Sequence, residues 1–150
     1  MKKIIFGLLG LLIMASCTTP ADYFETINSS VFSVETAYLQ FKGVDAGTDK
    51  SRELYEKNAA DAKHVLDKIK EMPPCEGNDA LRQSAVEYIS AFVDFYEDEY
   101  PSCLKKFEGD SHMRDSLFEI QPANFFEKNE AYKDNLKKFS KDFDLYISGF

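Results

Sequence analysis

The sequence predicts an all-α protein, an antiparallel up-down four-helix bundle, on three observations. Apolar residues return at steps of three and four along four long segments. No stretch alternates with period two or joins β-branched runs through hairpin turns. Only seven Gly and five Pro interrupt 150 residues, and 13 Phe with eight Tyr supply a core without any Trp. Short loops make sequential helices antiparallel neighbours, and four apolar stripes can face one axis.

The first helix starts at Thr19-Pro20-Ala21-Asp22. Thr19 is placed to cap, Pro20 to occupy the first helical position, and Asp22 to sit in the first turn, where the helix dipole favours an acid. Phe24, Ile27, Val31, Val34, Tyr38 and Phe41 form its stripe, with Phe32 and Leu39 widening it and Ser29, Ser33 and Thr36 on the solvent side. Asn28 and Glu35 fall at the edge of the seam and need partners, since an unpaired buried polar group costs about 1–3 kcal/mol. Gly43 stops the helix, and Val44 to Thr48 form a turn.

The second helix begins near Asp49. Its stripe is Leu54, Tyr55, Asn58, Ala59, Ala62, Val65, Leu66, Ile69 and Met72, with alanines that suit close approach to a neighbour. Pro73-Pro74 ends it. After a loop from Cys75 to Gly77, Asn78 caps a third helix along Leu81, Ala85, Tyr88, Ile89, Phe92, Val93, Tyr96, Tyr100, Cys103, Leu104 and Phe107. The stripe keeps its phase through Pro101, which predicts one long helix kinked at Pro101 and ending at Gly109; the rival is two helices meeting near Tyr100.

A further helical piece is expected from Asp110 or Ser111 through Met113, Leu117 and Ile120 until Pro122 interrupts it. The last helix carries Phe125, Tyr132, Leu136, Phe139, Phe143 and Tyr146 on one face, with Asn129 filling the gap. Glu127, Lys128, Glu130, Lys133, Asp134, Lys137 and Lys138 lie on the other face, and Gly149 lets the end fray.

The first seventeen residues read differently, as a processing signal. Lys2 and Lys3 precede an apolar run from Ile4 to Met14, then come the small residues Ala15 and Ser16 and the cysteine Cys17. As a helix the run spans about 16 Å against a hydrocarbon core of about 30 Å, too short for a stable membrane span. Met14-Ala15-Ser16-Cys17 resembles the lipobox of bacterial lipoproteins, with Met14 where that pattern prefers Leu. The resemblance implies cleavage before Cys17 and acylation of its thiol. Residues 1–16 are then a signal peptide, 17–20 a lipidated tether and 21–150 a single domain. Each buried acyl methylene contributes about 0.8 kcal/mol, so several chains on one cysteine make a firm anchor. Thr18 stands where an aspartate would resemble the inner-membrane retention signal, which favours the outer membrane. An ordinary secretory signal and an uncleaved anchor are the alternatives.

Loss of Lys2 and Lys3 would take the formal charge from −8 to −10. That acidity opposes binding to nucleic acid or to anionic headgroups, whose sign is the same.

From Lys68 to Tyr100 the chain carries Pro73, Gly77, Asp79, Leu81-Arg82, Ala85, Tyr88, Phe92, Phe95-Tyr96 and Glu99-Tyr100. This pattern resembles a family of small bacterial surface lipoproteins, the LIC-type surface proteins. The resemblance implies an exported helical bundle of unknown function and brings no catalytic residue.

Candidate chemistry is sparse. Cys75 and Cys103 are separated by about 25 residues of the third helix, roughly 38 Å, whereas a disulfide needs α-carbons within about 7 Å. Cys103 is expected as a small buried hydrophobe and Cys75 as an exposed loop thiol. Asp61 and His64 are the nearest approach to the Glu-x-x-His of a di-metal bundle, yet they sit off the apolar stripe beside Lys57 and Lys68. His112, among Asp110, Met113 and Asp115, cannot make a selective site alone. Glu97-Asp98-Glu99 reads as a solvated face, with Glu99 turned toward the stripe and suited to a buried Arg or Lys.

No nucleophile, base and orienter are announced, so no enzyme, metal site or cofactor is expected. The expected role is a lipid-anchored envelope or surface protein held to the membrane by Cys17. It would bind a protein partner or serve a structural role. The alternative is a small-ligand or metal carrier using the bundle interior.

Overall fold

The computed structural model describes residues 19–44, 48–106 and 121–146. These residues are all-α, as expected. Helix α1 spans Pro20–Lys42, α2 Asp49–Glu71, α3 Ala80–Asp94, α4 Tyr100–Lys106 and α5 Phe125–Asp142, and a π-helical turn at Phe95–Glu99 joins α3 and α4 into one rod.

The first two helices start as their sequences dictate. Thr19 Oγ1 accepts from the Asp22 backbone N–H at 3.1 Å, and Thr48 Oγ1 accepts from that of Ser51 at 3.1 Å, so each cap satisfies a donor the helix cannot. Between α2 and α3 the chain reverses through Cys75–Asn78. Glu76 (φ 48°) and Gly77 (φ 79°) are both left-handed, and the backbone of Cys75 and Asn78 pairs in both directions. This is the geometry of a type I′ turn, for which glycine is suited. The N-cap of α3 is Asp79 and not the expected Asn78, which stands one residue earlier and accepts from Ala80 N–H through its Oδ1 at 3.2 Å.

Residues far apart in sequence fix the helix directions. Tyr23 near the start of α1 stacks on Phe139 near the end of α5, and Tyr38 near the end of α1 meets Phe125 at the start of α5. Phe41 meets Tyr55 of α2, whose hydroxyl reaches the π-turn, while Arg82 at the start of α3 donates to the Lys70 carbonyl at the end of α2. Successive rods therefore run antiparallel. α3 packs against α1, α2 and α5, so it is the hub of the bundle.

On α1, Ile27, Val31, Val34, Tyr38 and Phe41 are buried as expected. Tyr23, which the stripe omitted, is also buried, and Phe24 is only half-buried. Phe32 and Leu39 do not widen the core face: they are 66% and 67% exposed. The core face of α1, which packs on α2, α3 and α5, is therefore narrower than the expected stripe.

The third rod departs from a simple kink. In the π-turn the Tyr100 N–H bonds to the carbonyl of Phe95, five residues back. The next bond in that register would link the Tyr96 carbonyl to the nitrogen of Pro101, which has no hydrogen. Tyr55 supplies the missing donor, its hydroxyl lying 2.6 Å from the Tyr96 oxygen. The extra residue in the turn shifts the helical phase beyond it. Cys103 is therefore half-buried and Leu104 37% exposed, although an unbroken phase put both in the core.

At the α2–α3 end, Arg82 grips both oxygens of Asp79, with Nη2 at 2.7 Å, and Gln83 Nε2 adds a bond at 2.9 Å. The Arg82 hydrogen bond holds the Asp79 carboxyl below the ordinary value of 3.8. A carboxylate with a depressed folded-state pKa contributes stability that is complete above the unfolded value and is lost as pH falls through the folded one. Asp79→Asn is therefore expected to lower stability by about 1 kcal/mol at pH 7, both side chains being partly solvated. The difference from the parent should shrink as pH falls below 3.8 and through the lowered folded-state value, as read by urea titrations across pH.

α5 ends earlier than its stripe suggests. Leu145 N–H bonds to the Ser140 carbonyl at 2.8 Å, the Ser140 hydroxyl donates to the Leu145 carbonyl, and Asp144 is left-handed (φ 51°). Tyr146 is thereby turned out to 92% exposure instead of joining the core. The turn at 45–47, the stretch with Phe107, Gly109, Met113, Leu117 and Ile120, and Gly149 lie outside the described residues.

Candidate functional site

Small side chains on facing positions of α1 and α2 leave a groove between them of about 510 Å³. Val34, Ala37, Ala62 and Val65 form its apolar walls, and the ring of Phe32 stands at its side. Asn58 and Tyr96 also line it, and both are nearly fully buried, at 3% and 1% exposure. Asn58 Nδ2 donates to the Ala37 carbonyl at 2.7 Å, which fixes which end of the amide is nitrogen, and makes a longer contact of 3.5 Å to the Tyr96 hydroxyl oxygen. Both Asn58 amide hydrogens are thus directed at protein oxygens, while its Oδ1 accepts from no described residue. Burial raises the pKa of Tyr96 well above the usual phenol value, so its hydroxyl keeps its proton. At the rim Lys57 and Asp61 pair at 2.6 Å and largely cancel each other's charge.

A second polar set joins α1 to α3 and α5. Tyr88 donates to Glu35 Oε1 at 2.6 Å, Tyr132 donates to Asn28 Oδ1 at 3.1 Å, and the two rings stack with centroids 6.0 Å apart. Asn28 and Glu35 thus find the partners their seam positions demanded. Burial, with Glu35 second, raises both phenols' pKa values, so the pair stays neutral and acts as a clamp. Tyr23 and Tyr38 are each pushed up to about 12, chiefly by burial. The Tyr23 hydroxyl lies within electrostatic reach of Arg82 and Asp79 but completes no well-formed hydrogen bond, and Asn129 Oδ1 in α5 is likewise buried without one.

Around these groups Phe92, Phe95, Tyr38, Tyr88 and Phe125 meet ring to ring in the interior.

The residues singled out from the sequence are not gathered into one site. Cys17 and His112 lie outside the described residues. Cys75 is buried, correcting the expectation of an exposed loop thiol, because the type I′ turn folds its side chain under the helix ends; Cys103 is half-buried, and both are thiols. His64 is exposed and, with Asp61, edges the groove. Among the described residues no three His, Cys, Asp or Glu side chains are placed to hold a metal ion, and no helix is long and apolar enough to cross a membrane. Among the described residues Glu99 pairs with no Arg or Lys: its Oε1 accepts from the Ala123 backbone N–H at 3.2 Å, tying the π-turn to the approach of α5. Glu97 is the acid that finds a cation, Lys63 at 2.8 Å across the surface.

Asn58 and Tyr96 were legible only as members of apolar stripes. The signal that marked them was an amide inside the α2 stripe, but the partner across the gap depends on the π-turn. Comparison of the chain with protein families, with curated proteins and with solved structures finds no match.

Proposed function

We propose that the protein is lipid-anchored in the cell envelope, at the outer membrane or cell surface, with a binding or structural role and no catalysis. The observation that carries this reading is the order Lys2-Lys3, Ile4 to Met14, Ala15-Ser16-Cys17, set immediately before the Thr19-capped start of α1. With acylated Cys17 as the first residue, Thr18 and Thr19 alone separate lipid from helix. Two or three residues reach roughly 10 Å at most, so the bundle would stand against the bilayer surface. The clamps Tyr88–Glu35 and Tyr132–Asn28 support a non-catalytic role, because they commit their polar groups to holding helices together. The resemblance of Lys68 to Tyr100 to small surface lipoproteins agrees with the same reading.

Mass spectrometry of the mature N-terminus tests it. The parent is expected to begin at an acylated Cys17 and to sediment with membranes. Cys17→Ala should lose the acyl mass completely and leave the membrane fraction, and an acylated Cys17→Ala protein would overturn the anchor. A second reading, a small-ligand carrier, is favoured by the groove between α1 and α2. A ligand would there enter from the surface.

A further inference from the structure

We propose that the α1–α2 groove binds a small, uncharged, planar molecule that presents an N–H beside a C=O, an amide, lactam or imide edge. This assignment stands on the groove alone and does not rest on the lipid anchor. Its volume, about 510 Å³, lies within the range of pockets that enclose small organic ligands, about 300–1,000 Å³.

The floor sets the chemistry. Asn58 Oδ1 is an acceptor without a described donor, because the bond from Nδ2 to the Ala37 carbonyl fixes the amide orientation. Beside it the Tyr96 hydroxyl receives the long Asn58 contact as an acceptor and has its own proton to give. An acceptor beside a hydroxyl donor on one groove wall is the complement of an N–H beside a C=O.

The walls set shape and charge. Val34, Ala37, Ala62 and Val65 are apolar, and the Phe32 ring is exposed beside them, suited to stacking on a flat ligand. Lys57 and Asp61, which line the groove with the exposed His64, pair with each other at 2.6 Å, so an ion entering the groove would lose water while meeting little net charge from them.

The π-turn gives independent reason to regard Tyr96 as placed for a purpose. Such turns are rare and recur at functional sites, and here the turn begins one residue before Tyr96, directing its hydroxyl to the α1–α2 seam while its carbonyl is held by Tyr55.

The test is a titration of the purified, isotope-labelled full chain with uracil, followed by amide NMR, with toluene and benzoate as comparison probes. Uracil is expected to saturate near ~1 mM or tighter, as suits so few atoms, with shifts confined to residues around Ala37, Asn58, Ala62 and Tyr96. Benzoate should not bind, and toluene should bind more weakly than uracil. Tyr96→Phe keeps the ring and removes the donor, and should weaken uracil about fivefold to tenfold while leaving toluene unchanged. Ser33→Trp, at an exposed wall position, should block both without touching the core. Absence of saturable localised shifts overturns the site. Equal binding of uracil and toluene, or an unaltered uracil affinity in Tyr96→Phe, overturns the donor–acceptor assignment.

Discussion

Phe92→Ala is expected to destabilise the bundle by about 3–5 kcal/mol, the cost of removing a fully buried ring and leaving a cavity. Phe92 sits in α3, the hub. It meets Tyr38 of α1 edge-on at 5.3 Å, Tyr88 of its own helix at 5.2 Å and Phe125 of α5 at 5.7 Å with the planes nearly perpendicular. Three rods therefore converge on one ring, and none can close the void without giving up contacts elsewhere. Single domains are stable by about 5–15 kcal/mol, so the substitution takes a large share of the total. Urea unfolding should show a much lower midpoint with little change in slope, since the surface exposed on unfolding is nearly the same. Phe92→Leu, which fills part of the volume, should cost well under half as much. Phe126→Ala is the matching control: that ring is 68% exposed and its loss should change stability by less than about 0.5 kcal/mol. A Phe92→Ala cost near that of the control would mean the aromatic cluster does not hold the helices together.

The contrast between Phe92 and Phe126 also shows where the sequence was informative. Both are phenylalanines on amphipathic helices, and helical phase alone separated them, placing Phe92 in the α3 stripe and leaving Phe126 out of that of α5. The helix starts at Thr19 and near Asp49 were equally legible, because a hydroxyl cap and a following acid act within one turn. Tertiary packing was less so. The width of a stripe depends on how many neighbours a helix has, which local sequence does not state, so Phe32 and Leu39 were assigned to a core that α1 does not offer them. Chain reversals were harder still. The burial of Cys75 follows from two left-handed residues, Glu76 and Gly77, and only the glycine announces that conformation. For the groove, Asn58 was visible as an amide in an apolar row, whereas its conjunction with Tyr96 depends on a hydrogen-bond register that proline sets five residues further along the chain. The order from Lys2 to Cys17 is the most explicit pattern in the sequence, because a processing signal is written as a linear segment without reference to a fold.

That register can be tested through Tyr55. Tyr55→Phe is expected to cost about 1–3 kcal/mol, because it removes the hydroxyl that satisfies the Tyr96 carbonyl and leaves a buried acceptor in its place. The ring remains to pack against Phe41, Tyr96 and Tyr100, so little of the loss would come from apolar contact. The origin of the unsatisfied carbonyl is Pro101, which lacks the hydrogen that the π register requires. Restoring that hydrogen with Pro101→Ala should therefore make the Tyr55 hydroxyl less necessary. In a double-mutant cycle the combined variant is expected to be more stable than the sum of the single effects by about 1 kcal/mol or more, although the side chain at position 101 is not polar. Coupling of this kind would identify the backbone carbonyl as the shared partner. Strict additivity would instead mean that ring packing among Phe41, Tyr55, Tyr96 and Tyr100 holds the π-turn, with the hydroxyl bond incidental. The same cycle bears on the groove, since a return to ordinary helical register would rotate Tyr96 away from Asn58. Pro101→Ala should then reduce uracil binding even though residue 101 lies outside the groove lining.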